Sequence, residues 1–311
     1  MTIAALCAAC VAVVSLSNAS PSVNSSAVYT SSINPDIPDE VEFCGQTISL
    51  DRADMWERYD RELTSIIYTH GNTLLTIKRA NKFFPVMAPI LKQQGVPEDV
   101  LYLACVESYL NPRAYSGAKA AGIWQFIADT AKQYGLEVND EIDERYHLEK
   151  ATAAACKYLK KAYAKYGNWE SVMAAYNGGN GRITRELEAQ IANTSFDLHL
   201  TDETSRYVFR IMAMKEVMEN PRAYGYKIKT DQLYQPQEYE TVEISGSISD
   251  WPTWAKNQGI TFAQLREANP WIRAKKLTNK SGKTYQVKVP TAKSLSRSQQ
   301  KKVTYNPNWV K

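Results

Sequence analysis

The chain has 311 residues, 44% of them hydrophobic and 23% charged, a balance that suits a soluble globular protein with one sizeable core and a smaller module and excludes a fibrous chain. Its formal net charge of +4 favours an anionic polymer only weakly. Acidic and basic residues are interspersed and form no basic stripe, which argues against a nucleic-acid binder.

No charged side chain occurs before Asp36. Residues 3–16 are apolar and Ser17-Asn18-Ala19 follows as a small-x-small cleavage pattern, so residues 1–19 read as a secretory signal peptide, too short for a membrane span. The run lacks the basic residues that usually open such a signal. Cys10 after Ala8-Ala9 faintly resembles a lipoprotein attachment site, but Cys7 stands where Leu is preferred, so plain cleavage is favoured over lipidation. Residues 20–50, rich in Ser, Asn and Pro at their start, read as a linker or disordered arm. Beyond the signal stand Cys44, Cys105 and Cys156, an odd number without metal-type spacing, which points to small buried thiols.

From 51 to 225 the pattern is helical. Met55, Tyr59 and Leu63 recur at four-residue spacing, as do Ala155, Leu159 and Tyr163, with breaks at Gly71, Gly95, Gly135 and Gly167. Past Gly225 the period becomes two at Val242 and Ile244 and again at Tyr285, Val287 and Val289. Short helices are expected between them, near 251–258 and 262–268, the second capped by Thr261. The segment 226–311 thus reads as a linker followed by a small strand-helix-helix-strand module.

One helix carries an unusual carboxylate. Val96-Pro97-Glu98-Asp99 is a helix start with Pro and acids in its first turn. Val100, Leu103 and Ala104 then stand seven, four and three residues before Glu107, so Glu107 emerges from the apolar face and is desolvated. Asn111-Pro112 is expected to end the helix, leaving Glu107 in the last turns, where the macrodipole also disfavours ionisation. Both effects raise its pKa, as a general acid near neutral pH requires. An arbitrary glutamate more often pairs with a lysine or arginine, but the sequel here is distinctive. Ser116 comes next, then Gly122-Ile123-Trp124-Gln125-Phe126, read as a glycine entry to a new helix. Ala175-Tyr176-Asn177-Gly178-Gly179 puts a phenol and an amide at a helix end before two glycines. Polar groups beside aromatic surfaces suit a sugar ring.

These ordered segments, over about 96–224, resemble the goose-type lysozyme and soluble lytic transglycosylase group, and within it the membrane-bound lytic murein transglycosylase D branch. The resemblance implies an α-helical lysozyme-like catalytic domain with Glu107 as acid and base. It implies that Ser116, Gln125, Tyr176, Asn177 and Tyr207 contact substrate, and that Glu203-Thr204 with Tyr207-Val208 close the cleft. Ile123-Trp124 replaces the Leu-Met of the wider group. Lys119 stands where that group often has Gly, and Thr201 where the branch often has Pro. Trp124 is read as core or substrate contact with equal weight, and Glu203 as structural or peptide-contacting. The segment after 240 more faintly resembles LysM, a glycan-binding unit, through Trp251, Trp254-Ala255, Gly259, Asn269 and Val289-Pro290, although Ile248-Ser249-Asp250 replaces the usual Gly-Asp-Thr.

The expectation is a peptidoglycan lytic transglycosylase that cleaves between N-acetylmuramic acid and N-acetylglucosamine and leaves a 1,6-anhydro end. The alternatives are a hydrolytic muramidase and a non-catalytic peptidoglycan-binding protein. Export to the periplasm or cell envelope is expected, with room for peripheral attachment there. His70, His147 and His199 lack ligand spacing, and the acidic run Glu137, Asp140, Glu141, Asp143, Glu144 lacks that of a calcium loop and reads as a solvated loop and helix start, so neither metal nor cofactor is expected.

Overall fold

In the computed structural model, which describes residues 34–280 and 282–310, the expected helical pattern becomes α1 (Ala53–Tyr68), α2 (His70–Gln94), α3 (Val100–Ser108), α4 (Ala128–Gln133), α5 (Leu148–Tyr166), α6 (Trp169–Gly178), α7 (Asn180–Ala189) and α8 (Asp202–Glu219). Met55, Tyr59 and Leu63 of α1 are buried against α8, and Ala155 and Leu159 of α5 are buried facing α2. Tyr163 instead reaches the surface, where it stacks on Trp169 with ring centroids 4.7 Å apart. Gly95 and Gly167 end α2 and α5 in the left-handed conformation, as open C-caps require. Gly71 does not break the chain. The break falls at Thr69, and Gly71 lies in the first turn of α2.

The stretch expected to be an arm closes on the helices. Strands β1 (Glu40–Phe43) and β2 (Gln46–Ser49) form a hairpin, and Val41 and Phe43 alternate into the main core. Too short for periodicity to declare itself, the hairpin is tied down by the Cys44 N–H, which donates to Asp99 Oδ2 (2.6 Å), a carboxylate also held by Lys215 Nζ (2.9 Å). The signal segment lies outside the described residues. Cys44, Cys105 and Cys156 are buried free thiols.

The C-terminal module has the expected order: β3 (Tyr239–Ile244), α9 (Trp251–Asn257), α10 (Phe262–Ala268) and β4 (Tyr285–Pro290), with β3 and β4 antiparallel from Tyr239 opposite Pro290 to Ile244 opposite Tyr285. Asp250 caps α9 through the Thr253 N–H (2.8 Å), and Thr261 with Gln264 makes a capping box on α10. Trp251 is fully buried and meets Trp254 edge-on, so it belongs to the module's core.

The flanks of this module are part of the helical core. Tyr226, Ile228 and Leu233 before it and Trp309 after it are buried there. Asn81 of α2, itself fully buried, joins the two flanks: its amide nitrogen donates to the Tyr234 and Val303 carbonyls (3.1 and 3.0 Å), and its oxygen accepts the Tyr305 N–H (2.8 Å). The module also shares its own core with Ala121, Ile142 and Tyr146 of the helical part.

Candidate active site

Almost every position of α3 is buried, and Glu107 is its one carboxylate. The helix stops at Ser108, sooner than Asn111-Pro112 predicts. Tyr109 and Leu110 both adopt positive φ, the Tyr109 N–H caps the Cys105 carbonyl (2.7 Å), and Leu110 turns back into the core. Glu107 nevertheless sits in the last turn, as expected. Its side chain keeps partial solvent contact, yet enough protein surrounds the carboxyl that desolvation raises its pKa to about 7. The Tyr207 hydroxyl, donating to Oε1, pulls the other way, nearby Glu203 adds a further rise, and Arg210 a small fall.

Tyr207 comes from α8 and is buried. Tyr176, at the end of α6, is only partly covered as a residue, but its hydroxyl donates to the Trp124 carbonyl (2.7 Å). Burial and the Glu107 charge push both phenols well above their ordinary pKa, so both stay donors. Beside Glu107, Ser108 Oγ donates to the Ile123 carbonyl (2.9 Å). The segment 122–126 is therefore held from α3 and from α6. It is a turn rather than the expected helix start, because Gly122 and Gln125 both have positive φ (78° and 49°), and α4 begins only at Ala128.

Ser116 and Gln125 lie on the loop between α3 and α4, and their side chains bond within it. Ser116 Oγ accepts the Ala120 N–H (3.1 Å), and Gln125 Nε2 donates to the Gly122 carbonyl (2.8 Å). Asn177 Oδ1 accepts from Thr204 Oγ1 (2.9 Å), which ties α6 to α8. The structure thus brings Glu107, Tyr176 and Tyr207 together and gives Ser116, Gln125 and Asn177 bonds that shape the surrounding backbone. Trp124 is fully buried with its indole N–H on Thr152 Oγ1 (2.9 Å), which makes it core. Glu203, with its side chain 63% exposed, pairs with Arg210 (3.1 Å).

Two charged groupings were missed in the sequence. Glu62 of α1 is 1% exposed and takes Arg206 Nε (2.5 Å) and Arg210 Nε (2.9 Å), the arginines that bracket Tyr207 on α8. Its place between Tyr59, Leu63 and Ile66 on the buried stripe was the available signal. The other is the acidic run: Asp140 is exposed and a helical turn does start at Glu144, as expected, but Asp143 and Glu144 are buried rather than solvated, and Asp143 grips Arg145.

Residues 86–197 match the family described as Transglycosylase SLT domain, and residues 240–293 match the soluble lytic transglycosylase C-terminal LysM-like domain. The chain carries an SLT domain followed by a LysM-like domain. The SLT match spans Glu107, Ser116, Gln125, Tyr176 and Asn177 and stops short of α8 with Tyr207. Membrane-bound lytic murein transglycosylase D of Escherichia coli K12 is 30% identical over 239 residues, 75% of this chain and 51% of that protein. The peptidoglycan transglycosylase of Escherichia phage T7 is 40% identical over 99 residues, 30% of this chain and 8% of its own. The solved 70 kDa soluble lytic transglycosylase of Escherichia coli aligns at a TM-score of 0.38 and 18% identity, over 52% of this chain and 30% of that one. The chain spans about half the length of its Escherichia coli K12 relative.

Proposed function

We propose that the SLT domain is a peptidoglycan lytic transglycosylase with Glu107 as acid and then base, acting in the cell envelope. The observation that carries this reading is a carboxyl raised to about 7 by desolvation on an apolar helix and held by the Tyr207 hydroxyl. Such a group is half protonated at neutral pH and can give and retake a proton in one turnover. A non-catalytic binding protein has no use for it.

Glu107 protonates the glycosidic oxygen between N-acetylmuramic acid and N-acetylglucosamine, and the C1–O bond breaks with oxocarbenium character at the muramic acid. A hydrolase would now call on a second carboxylate to activate water or trap this centre. The carboxylate whose charge reaches Glu107 is Glu203, which is turned to solvent and paired with Arg210. The substrate's own 6-hydroxyl attacks C1 instead and passes its proton to Glu107, an intramolecular step of high effective molarity. Ser116, Gln125, Tyr176 and Asn177 line and shape the cleft that holds the acetamido group and ring. Mass analysis of fragments released from purified peptidoglycan tests the mechanism. Fragments should end in 1,6-anhydro-N-acetylmuramic acid, lighter by one water than hydrolysis products. Reducing muramic acid as the main end would overturn it in favour of hydrolysis.

A further inference from the structure

The loop joining α3 to α4 is shaped by isolated bridges, Tyr115 with Ala121 and Ala121 with Phe126, and by positive φ at Lys119, Gly122 and Gln125. Positive φ at non-glycine residues is strained and persists only where the surroundings impose it. The imposing group is Arg145. Its Nη1 donates to the Lys119 carbonyl (2.8 Å) and the Phe126 carbonyl (3.1 Å), so one guanidinium fastens two of the loop's bends. Its own carbonyl oxygen lies only 2.0 Å from where a Cβ on Gly122 would stand.

Arg145 is fixed in turn by Asp143, with Nε on Oδ1 (2.9 Å) and Nη2 on Oδ2 (2.7 Å), and the two side chains are 7% and 9% exposed. A planar fork matched to a carboxylate in this way leaves little freedom of orientation. The strip that carries the pair is docked on the LysM-like domain. The Asp143 N–H donates to the Trp271 carbonyl (2.9 Å), the Arg273 N–H donates to the Glu141 carbonyl (2.8 Å), and Ile142 bridges Ile272. Glu141 Oε2 accepts both the N–H and the hydroxyl of Thr278 (2.8 and 2.9 Å). The Arg273 guanidinium lies 4.4 Å over the Tyr146 ring.

We propose that the LysM-like domain is a structural half of the catalytic cleft: through Asp143 and Arg145 it sets the conformation of the loop that carries Ser116 and Gln125. This rests on the transglycosylase reading of that cleft. Arg145 is accordingly a positioning residue, acting through the loop backbone without touching substrate. A domain used only for glycan capture would raise local concentration on an insoluble wall and leave the chemistry of a soluble fragment alone. A domain that shapes the loop affects both substrates alike.

The test compares the full chain with Arg145→Lys, whose ammonium cannot serve the carboxylate fork and both carbonyls, and with Ile272→Ala, which loosens the contact from the other domain. Asp143→Asn, close to isosteric, takes the place of Arg145→Lys if that does not fold, and Thr278→Val, which removes the hydroxyl bond to Glu141, takes the place of Ile272→Ala. Amide exchange in 113–126 should quicken about tenfold or more in each variant while α1 and α8 exchange as before, a local opening rather than a loss of global stability. Turnover should fall by the same factor on soluble glycan fragments and on insoluble sacculi. Unchanged exchange in 113–126 for Ile272→Ala, or a loss confined to sacculi, overturns the proposal. A wild-type chain inactive on both substrates sinks the transglycosylase reading instead, and the exchange comparison still decides whether the two domains are coupled.

Discussion

Glu107 meets opposite demands under the proposed mechanism, because the desolvation that would ready it to donate a proton also disfavours its charged form. The native carboxyl titrates near 7 against 4.5 when free, so between those values the folded chain binds the extra proton. Stability therefore falls as pH rises through this window and levels off above it. Glu107→Gln removes that penalty: its melting temperature relative to wild type should be higher at pH 8 than at pH 4. The same variant should lose turnover by roughly 10²–10⁴-fold or more, with helical circular dichroism unchanged. Rate against pH for the wild type should decline on the alkaline side with a midpoint about 7, as the acid form is lost. Tyr207→Phe deletes the donor that favours the carboxylate, so this midpoint should move upward in stopped assays across pH; an unmoved midpoint means the hydroxyl does not tune Glu107. Glu107 could be found in the sequence because its apolar neighbours recur at helical spacing. Glu62 could not be assigned there, since the arginines that neutralise it come from a helix well over a hundred residues away.

Among the elements, the helices and the strands β3 and β4 were legible, while the β1–β2 hairpin and the cleft loop were not. Periodicity reports a face, and the loop has none: Gly122 followed by three large side chains reads as a helix entry until positive φ at Gln125 forbids it. Gly122→Ala should destabilise the chain by more than about 2 kcal/mol in denaturant titration, since it adds a left-handed Ala to a collision with the Arg145 backbone. A stability equal to wild type would mean that the loop can relax away from that contact. The packing of α1 on α8 has its own test. Glu62→Gln should cost about 3 kcal/mol, the low end for breaking a buried pair, because both arginines keep solvent contact. The loss should appear in unfolding curves and, through Tyr207, in a shifted rate profile.

For the whole molecule, the βααβ order followed from the change of period after Gly225, while the docking of the module did not. The acidic strip that receives it looks solvated in one dimension, because its partners, Trp271, Arg273, Thr278 and Lys283, are far along the chain. The same blindness hid the return of the C-terminal segment. Trp309 is buried against Phe84 and Tyr305 and donates its indole N–H to the Met218 carbonyl (2.6 Å). Trp309→Ala should lower the stability of the helical domain by about 3–5 kcal/mol, read as a drop in the melting of helical signal. A small loss confined to the module would show that the tail is merely laid on the surface.

Asn81 gives this arrangement a direction in time. During synthesis α2 emerges early, but its amide waits 224 residues for the Tyr305 N–H. Until then the chain carries an unfilled apolar slot around Phe84, and the intervening LysM-like domain must be made before the helical part can close. A ribosome stalled between residues 240 and 300 would therefore leave a nascent chain that already contains Glu107 but keeps that slot open, a target for proteases and chaperones.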